Sequence, residues 1–288
     1  MHKCILILII PLLLSAGCLT AAPPEEEGGA EILVIEPRNP FPIFEGQGLY
    51  SHLITIDTPI PPMSYNLGQV TISPGNATDP HRLLGTSELV YVIDGIAGIH
   101  CDETIVTAEK GELILLPEGV LQSILSVGET DLRYLSANQP HYRDAIDIRG
   151  DDLASYEMMT SQTPIVIANP EEGIEWDYET GTMIYTLINP VLMPELEIPI
   201  DYSVAYAELL PSGKIINNRL TGAADLIYVI HGEVDFITPE GAEITVRAGD
   251  AAYFPPGQAK EIRNSGDTPA SLLSIVDPAW QPEFFETG

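Results

Sequence analysis

Glu88-Leu-Val-Tyr-Val-Ile-Asp-Gly95 recurs in the second half of the chain as Asp225-Leu-Ile-Tyr-Val-Ile-His-Gly232. Each copy is an apolar, β-branched and aromatic run of strand length, opened by a carboxylate and stopped by a glycine. Runs that are apolar at consecutive positions predict strands covered on both faces. Further along, Val127-Gly-Glu-Thr-Asp-Leu-Arg-Tyr-Leu-Ser136 recurs, almost in the same register, as Ser265-Gly-Asp-Thr-Pro-Ala-Ser-Leu-Leu-Ser274. The turn residues keep step: Pro74 with Pro211, Gly111 with Gly249, Pro117 with Pro255, Gly119 with Gly257 and Gly128 with Gly266. Ile32-Leu-Val-Ile and Ile165-Val-Ile-Ala, each shortly before a proline, extend the repeat to a leading strand. Segments and breakers repeated in one order mark two copies of one module. Short strands with frequent turn signals predict an all-β sandwich or barrel in each copy.

The composition agrees with that reading. Of 288 residues, 24 are Gly and 25 are Pro, which leaves little room for long helices. The formal charge of −30, from 42 acidic and 12 basic side chains, excludes nucleic acid as a partner, because a phosphate surface needs clustered Lys and Arg. Only four lysines occur, Lys3, Lys110, Lys214 and Lys260. The sequence contains no glycine-rich phosphate loop, no Cys-x-x-Cys, no His-Glu-x-x-His and no nucleophile elbow.

At the repeated residues the chain resembles the cupin superfamily, jelly-roll barrels often duplicated as bicupins and known by two short motifs. In the first repeat Gly75, His81, Glu88 and Gly95 fall on the first motif, and Gly111, Pro117 and Gly119 on the second. In the second repeat Gly232, Gly249, Pro255, Gly257 and Asn264 match. The resemblance implies an all-β fold of two tandem cupin-type jelly-roll barrels, and motif histidines and a glutamate holding a divalent transition metal at the barrel mouth. Here those positions read His81, Leu83, Glu88 and Gln122 in the first repeat and Asn218, Leu220, Asp225 and Lys260 in the second. Leucine has no lone pair to give, and a lysine ammonium repels a cation.

Two readings of each pocket follow. In the first, His81, Glu88 and Gln122 form a weak three-ligand metal site, or His81 and Glu88 form a hydrogen-bonded pair without metal. In the second, Lys260 either places its ammonium where the metal would sit, with Asp225 as counter-ion and Asn218 as partner, so that a carboxylate or phosphate could bind, or snorkels to solvent at the rim. His100, His141 and His231 match no motif position and are expected as ordinary strand or loop residues. Gln-Pro-His-Tyr142 and Asp-Pro-Ala-Trp280-Gln-Pro resemble segments that close many cupin barrels.

The amino terminus adds a location. Met1-His2-Lys3 and the apolar run Ile5 to Leu14 read as an export signal, and Ser15-Ala16-Gly17-Cys18 resembles a lipobox, apart from Ser15 where such signals prefer Leu. Cys18 would then carry lipid and hold the protein on the outer face of the membrane. With Cys4 in the signal, Cys101 is left alone, so the mature chain has no internal disulfide. The expected organisation is a signal over 1–18, an acidic linker over 19–30, barrels over 31–145 and 163–288, and a linker over 146–162. Three functions are compatible with this: binding of a small polar ligand such as a sugar or organic acid without catalysis, a metal-dependent isomerase or dioxygenase in the first barrel, or a structural envelope protein. Association as a homodimer is a further expectation from the resemblance.

Overall fold

The computed structural model describes residues 32–156, 161–177 and 180–287; Cys18 and the rest of the signal and acidic linker lie outside them. Among the described residues every named element is a strand or a short 3-10 turn. The strands form two pairs of antiparallel sheets, seven strands facing five in each pair, and each pair closes on one barrel.

The repeated run explains the arrangement. In the first barrel Ser87–Asp94 lies centrally in the large sheet, between Leu132–Gln139 and Leu113–Leu116. Its equivalent, Ala224–His231, lies between Ala270–Asp277 and Ala251–Phe254. Successive side chains on a strand point to opposite faces. Val90 and Val92 therefore enter the interior of the first barrel with Ile99, Ile114, Ile124 and Tyr134. Leu89, Tyr91 and Ile93 face the other way and join one core with Tyr202, Leu226, Tyr228 and Leu273 of the second barrel. Both faces are covered because the two large sheets pack on each other. The glycines that stop the runs, Gly95 and Gly232, have φ of +82° and +77°. A Cβ on Gly95 would meet the Asp131 carbonyl oxygen at 2.7 Å, so both conformation and space require glycine there.

The leading strands do not pair within their own repeat. Leu33–Ile35 pairs with Ala251–Phe254 of the second barrel, and Ile165–Ile167 pairs with Leu113–Leu116 of the first. Each barrel thus receives its edge strand from the other half of the chain, which corrects the expected boundaries at 31 and 163. A strand segment recruits whichever unpaired sheet edge it can reach, and here the packed large sheets bring the neighbour's edge close. The expected linker over 146–162 is also partly structured: Asp147–Arg149 pairs with His81–Leu83 and adds a strand to the small sheet of the first barrel.

Further contacts across the halves are reciprocal. Ser64 N donates to Asp277 Oδ2 at 2.5 Å, and Asp201 N donates to Gln139 Oε1 at 2.6 Å. Gln139 and Asp277 are equivalent positions of the two repeats, and each closes the last long strand of its large sheet. Tyr65 and Tyr202 meet between these contacts with ring centroids 4.8 Å apart.

Candidate functional site

The interior of the first barrel holds a cavity of about 440 Å³. Its polar floor is a hydrogen-bonded cluster built by register. His81 stands opposite Gln122, and Glu88 opposite Asn138. Gln122 Nε2 donates to Glu88 Oε2 at 2.5 Å and to His81 Nε2 at 3.2 Å. His81 Nδ1 lies 2.7 Å from the Asp79 carbonyl oxygen and donates to it, which leaves Nε2 as the acceptor for Gln122. Ser136 Oγ donates to Glu88 Oε1 at 2.6 Å, and Asn138 Nδ2 donates to Ser136 Oγ at 3.1 Å. All five side chains are buried. Burial pushes the Glu88 carboxyl above its usual range, opposed by the Ser136 hydrogen bond, the neighbouring His81 imidazole and the Gln122 hydrogen bond. Asn138 Oδ1 is buried without a partner.

The walls are apolar and aromatic. Phe44 stacks near His81 with centroids 5.4 Å apart, and the Arg149 guanidinium sits 4.2 Å from the Phe44 ring centroid. Arg149 Nε donates to Asp147 Oδ1 at 2.9 Å, and Tyr142 Oη donates to Asp147 Oδ2 at 2.9 Å. Asp147 and Arg149 belong to the strand that crosses the mouth, and Tyr142 lines the cavity with them.

The second barrel repeats this plan with different chemistry around a cavity of about 340 Å³. Lys260 Nζ lies 2.9 Å from Asp225 Oδ2 and 4.8 Å from the Phe254 ring centroid. Ser274 Oγ donates to Asp225 Oδ1 at 2.7 Å. Lys260 is 2% exposed, so it does not snorkel to the rim. Asn218, opposite Lys260 in register, donates its amide to the Ile216 carbonyl at 2.8 Å and to the Lys260 backbone carbonyl at 3.5 Å. Among the described residues the ammonium pairs with Asp225 and not with Asn218, whose contact with Lys260 is to the backbone carbonyl, which corrects the expected role of Asn218 as partner of the charge. Across the mouth runs Phe285–Thr287, the equivalent of Asp147–Arg149, bringing Phe285 where the first barrel has Asp147.

The structure gathers His81, Glu88 and Gln122 in one cluster and Asp225 and Lys260 in the other. Ser136 and Ser274 complete these clusters without belonging to either motif; the signal for them is that both end the second repeated segment, at matching positions of a strand beside the carboxylate strand. His141 lines the first cavity, contrary to the expectation of an ordinary loop residue. His100 and His231 lie exposed on strands, as expected. Asn264 is structural: its amide donates to the carbonyls of Leu209 at 2.9 Å and Thr268 at 2.8 Å. Cys101 is buried, and burial raises its thiol to about 11.

Two closed barrels of antiparallel strands, each with a carboxylate, a serine and further polar side chains gathered on the inner face, define a duplicated jelly-roll protein with paired interior sites. Residues 205–276 match the model of the cupin domain, and the chain has the duplicated cupin fold. No curated protein matches the sequence. Among solved structures, oxalate decarboxylase from Lactobacillus farciminis in complex with formate superposes with a TM-score of 0.68 at 14% identity, over 90% of this chain and 89% of that one. Oxalate decarboxylase from Bacillus subtilis at pH 4.6 superposes with a TM-score of 0.69 at 16% identity, over 92% of this chain and 81% of that one. The Bacillus subtilis enzyme has Mn(II) centres.

The side chains present fit such a metal poorly. Among the described residues no three His, Cys, Asp or Glu side chains gather as a cation would require. In the first barrel one imidazole and one carboxylate face a leucine at position 83, and their lone pairs already accept from Gln122 and Ser136. In the second barrel an ammonium stands beside the only carboxylate of the cluster.

Proposed function

We propose that the first barrel is a metal-independent receptor for a small uncharged, hydroxylated ligand of the sugar class, and that it binds this ligand without transforming it. The observation that carries the reading is the floor of the cavity, where His81, Glu88, Gln122 and Ser136 bond to one another instead of offering lone pairs to a cation. The surroundings suit a sugar. Phe41, Phe44, Tyr50 and Tyr134 offer ring faces to the apolar side of a pyranose, and the unpartnered Asn138 Oδ1 calls for a hydroxyl donor. An organic acid is disfavoured, because Glu88, Asp144 and Asp147 line the same cavity and Arg149 is already paired with Asp147. Cavities of several hundred Å³ speak against a structural role with both pockets filled by side chains.

The oxalate decarboxylases that share the fold point to the second reading, a metal-dependent enzyme. The leucine at position 83 and the amide at position 122 weigh against it. We further propose that the protein works outside the cytoplasmic membrane, held by lipid on Cys18, from the signal-like residues that precede it.

Calorimetric titration of the purified protein with neutral mono- and disaccharides and with oxalate, together with metal analysis, tests the reading. Saturable heat with a neutral sugar, weakened by Phe44→Ala, and no stoichiometric metal are expected. Stoichiometric manganese or iron that survives dialysis and is lost in His81→Ala would overturn it. Transfer of the protein from the membrane fraction to the soluble fraction in Cys18→Ala tests the anchor.

A further inference from the structure

The second cavity has a chemistry of its own, independent of any ligand in the first. Its floor carries a buried ammonium with unused capacity. Lys260 has three N–H donors, and among the described residues its only polar partner is Asp225 Oδ2 at 2.9 Å. A second donor direction is met by the face of Phe254, 4.8 Å away, which is a weaker partner than an oxygen. At the equivalent position of the first barrel, Gln122 spends both amide hydrogens on Glu88 and His81. Lys260 is therefore a side chain 2% exposed, lining a cavity of about 340 Å³, with a donor left to give.

Charge decides what kind of acceptor suits it. Asp225 already neutralises Lys260, and among the described residues Asp225 is the only acidic side chain on the wall. A second anion would leave the buried site with a net negative charge, in a chain whose formal charge is −30. An uncharged carbonyl oxygen accepts the free N–H without that cost. The remaining wall determines the rest of the ligand. Trp176 and Trp280 meet at the mouth with centroids 5.6 Å apart, Phe285 lies 6.4 Å from Trp280, and the rest of the lining is mostly aliphatic, with Thr186, Asn189, Ser203 and Asn218 as its other polar side chains beyond the floor. Trp176 Nε1 is already bonded to Thr186 Oγ1 at 3.0 Å, so the indole offers its faces and edges rather than a donor.

We propose that the second barrel is a separate receptor for a small, uncharged aromatic molecule carrying one carbonyl acceptor, with the carbonyl oxygen on Lys260 Nζ and the ring beneath Trp176 and Trp280. This differs from the sequence-based alternative in which the Lys260 ammonium takes a carboxylate or phosphate.

The test uses an accident of composition. The protein has two tryptophans, and both line this cavity, so tryptophan fluorescence of the full chain reports this site alone. Benzamide, benzoate and toluene are the probes, matched in size but differing in acceptor and charge. Benzamide is expected to change the emission saturably and to bind roughly tenfold or more tighter than either of the others. Lys260→Met, and the charge-neutral Lys260→Met/Asp225→Asn pair whose fold is checked by circular dichroism, should weaken benzamide by roughly ten- to hundredfold and leave toluene unchanged. Absence of a saturable response to benzamide, benzoate binding as tightly as benzamide, or undiminished benzamide binding in the folded double variant would each overturn the proposal. The comparison of the three probes on the unaltered protein stands even if a variant fails to fold.

Discussion

Replacing Ile35 with alanine should destabilise the second barrel, although Ile35 lies in the first repeat of the sequence. Ile35 is 4% exposed, pairs with Ala251 and belongs to the core layer between the large sheets. Buried Ile→Ala changes cost about 2–5 kcal/mol, because the cavity left behind adds to the lost transfer energy. For a chain of this size each kcal/mol lowers the thermal midpoint by roughly 2–4 °C, so a drop of about 4–20 °C is expected. Two signals can be followed in one melt: tryptophan fluorescence, which reports the second barrel through Trp176 and Trp280, and far-ultraviolet circular dichroism, which reports all strands. With edge strands exchanged, both midpoints should fall together. Ile105→Ala, at an exposed strand position, serves as the control and should move neither. A fluorescence midpoint that stays fixed while the dichroism midpoint drops would refute the reasoning, because it would place Leu33–Ile35 in the first barrel.

Other perturbations address the two floors. Lys260→Met alone strands the buried Asp225 carboxylate and should cost about 3–5 kcal/mol in urea denaturation, whereas Lys260→Met/Asp225→Asn should recover most of that loss. Equal losses in both variants would mean that the pair at 2.9 Å contributes nothing. Because burial raises Glu88 above its ordinary value, the folded chain holds that proton to higher pH than the unfolded chain; the associated stability is full below the ordinary carboxylate range and is lost as pH rises through the raised value. Glu88→Gln should therefore flatten the fall in thermal midpoint as pH rises above the ordinary carboxylate range, and an unchanged slope would assign the fall to other groups. Leu83→His/Gln122→His supplies two imidazoles beside His81 and Glu88 and should create stoichiometric binding of a divalent transition metal, read by metal analysis after dialysis; failure would show that the cavity geometry itself excludes a cation.

Much of this architecture is legible in the residues. The run from Glu88 to Gly95 and its copy announce strands buried on both sides, because apolar side chains at every position leave no face for water. The glycines that keep step between the copies announce turns, and Gly95 and Gly232 do adopt positive φ. The partner of a leading strand is not legible. Ile32 to Ile35 says that a strand forms, but its hydrogen-bonding partner is a backbone edge in the far half of the chain, and side-chain pattern carries no label for it. The sites are half legible. The motif fixes which positions point inward, so His81, Glu88, Gln122, Asp225 and Lys260 stand out. Whether Lys260 reaches solvent or Asp225 depends on the depth of the position within the barrel, which spacing does not encode. The amide of Asn218 donates to the Ile216 carbonyl on its own strand, an acceptor that side-chain spacing does not announce.

The exchanged edge strands have a consequence for how such a chain can be divided. A gene cut near its midpoint would encode a half with one strand lacking an acceptor and one sheet lacking an edge, and the two defects are complementary. Two copies of such a half would heal each other by trading the same strand, as in a domain-swapped pair. The present molecule has that arrangement with a covalent joint, which leaves each half free to change its interior while remaining bound to the other for its completion.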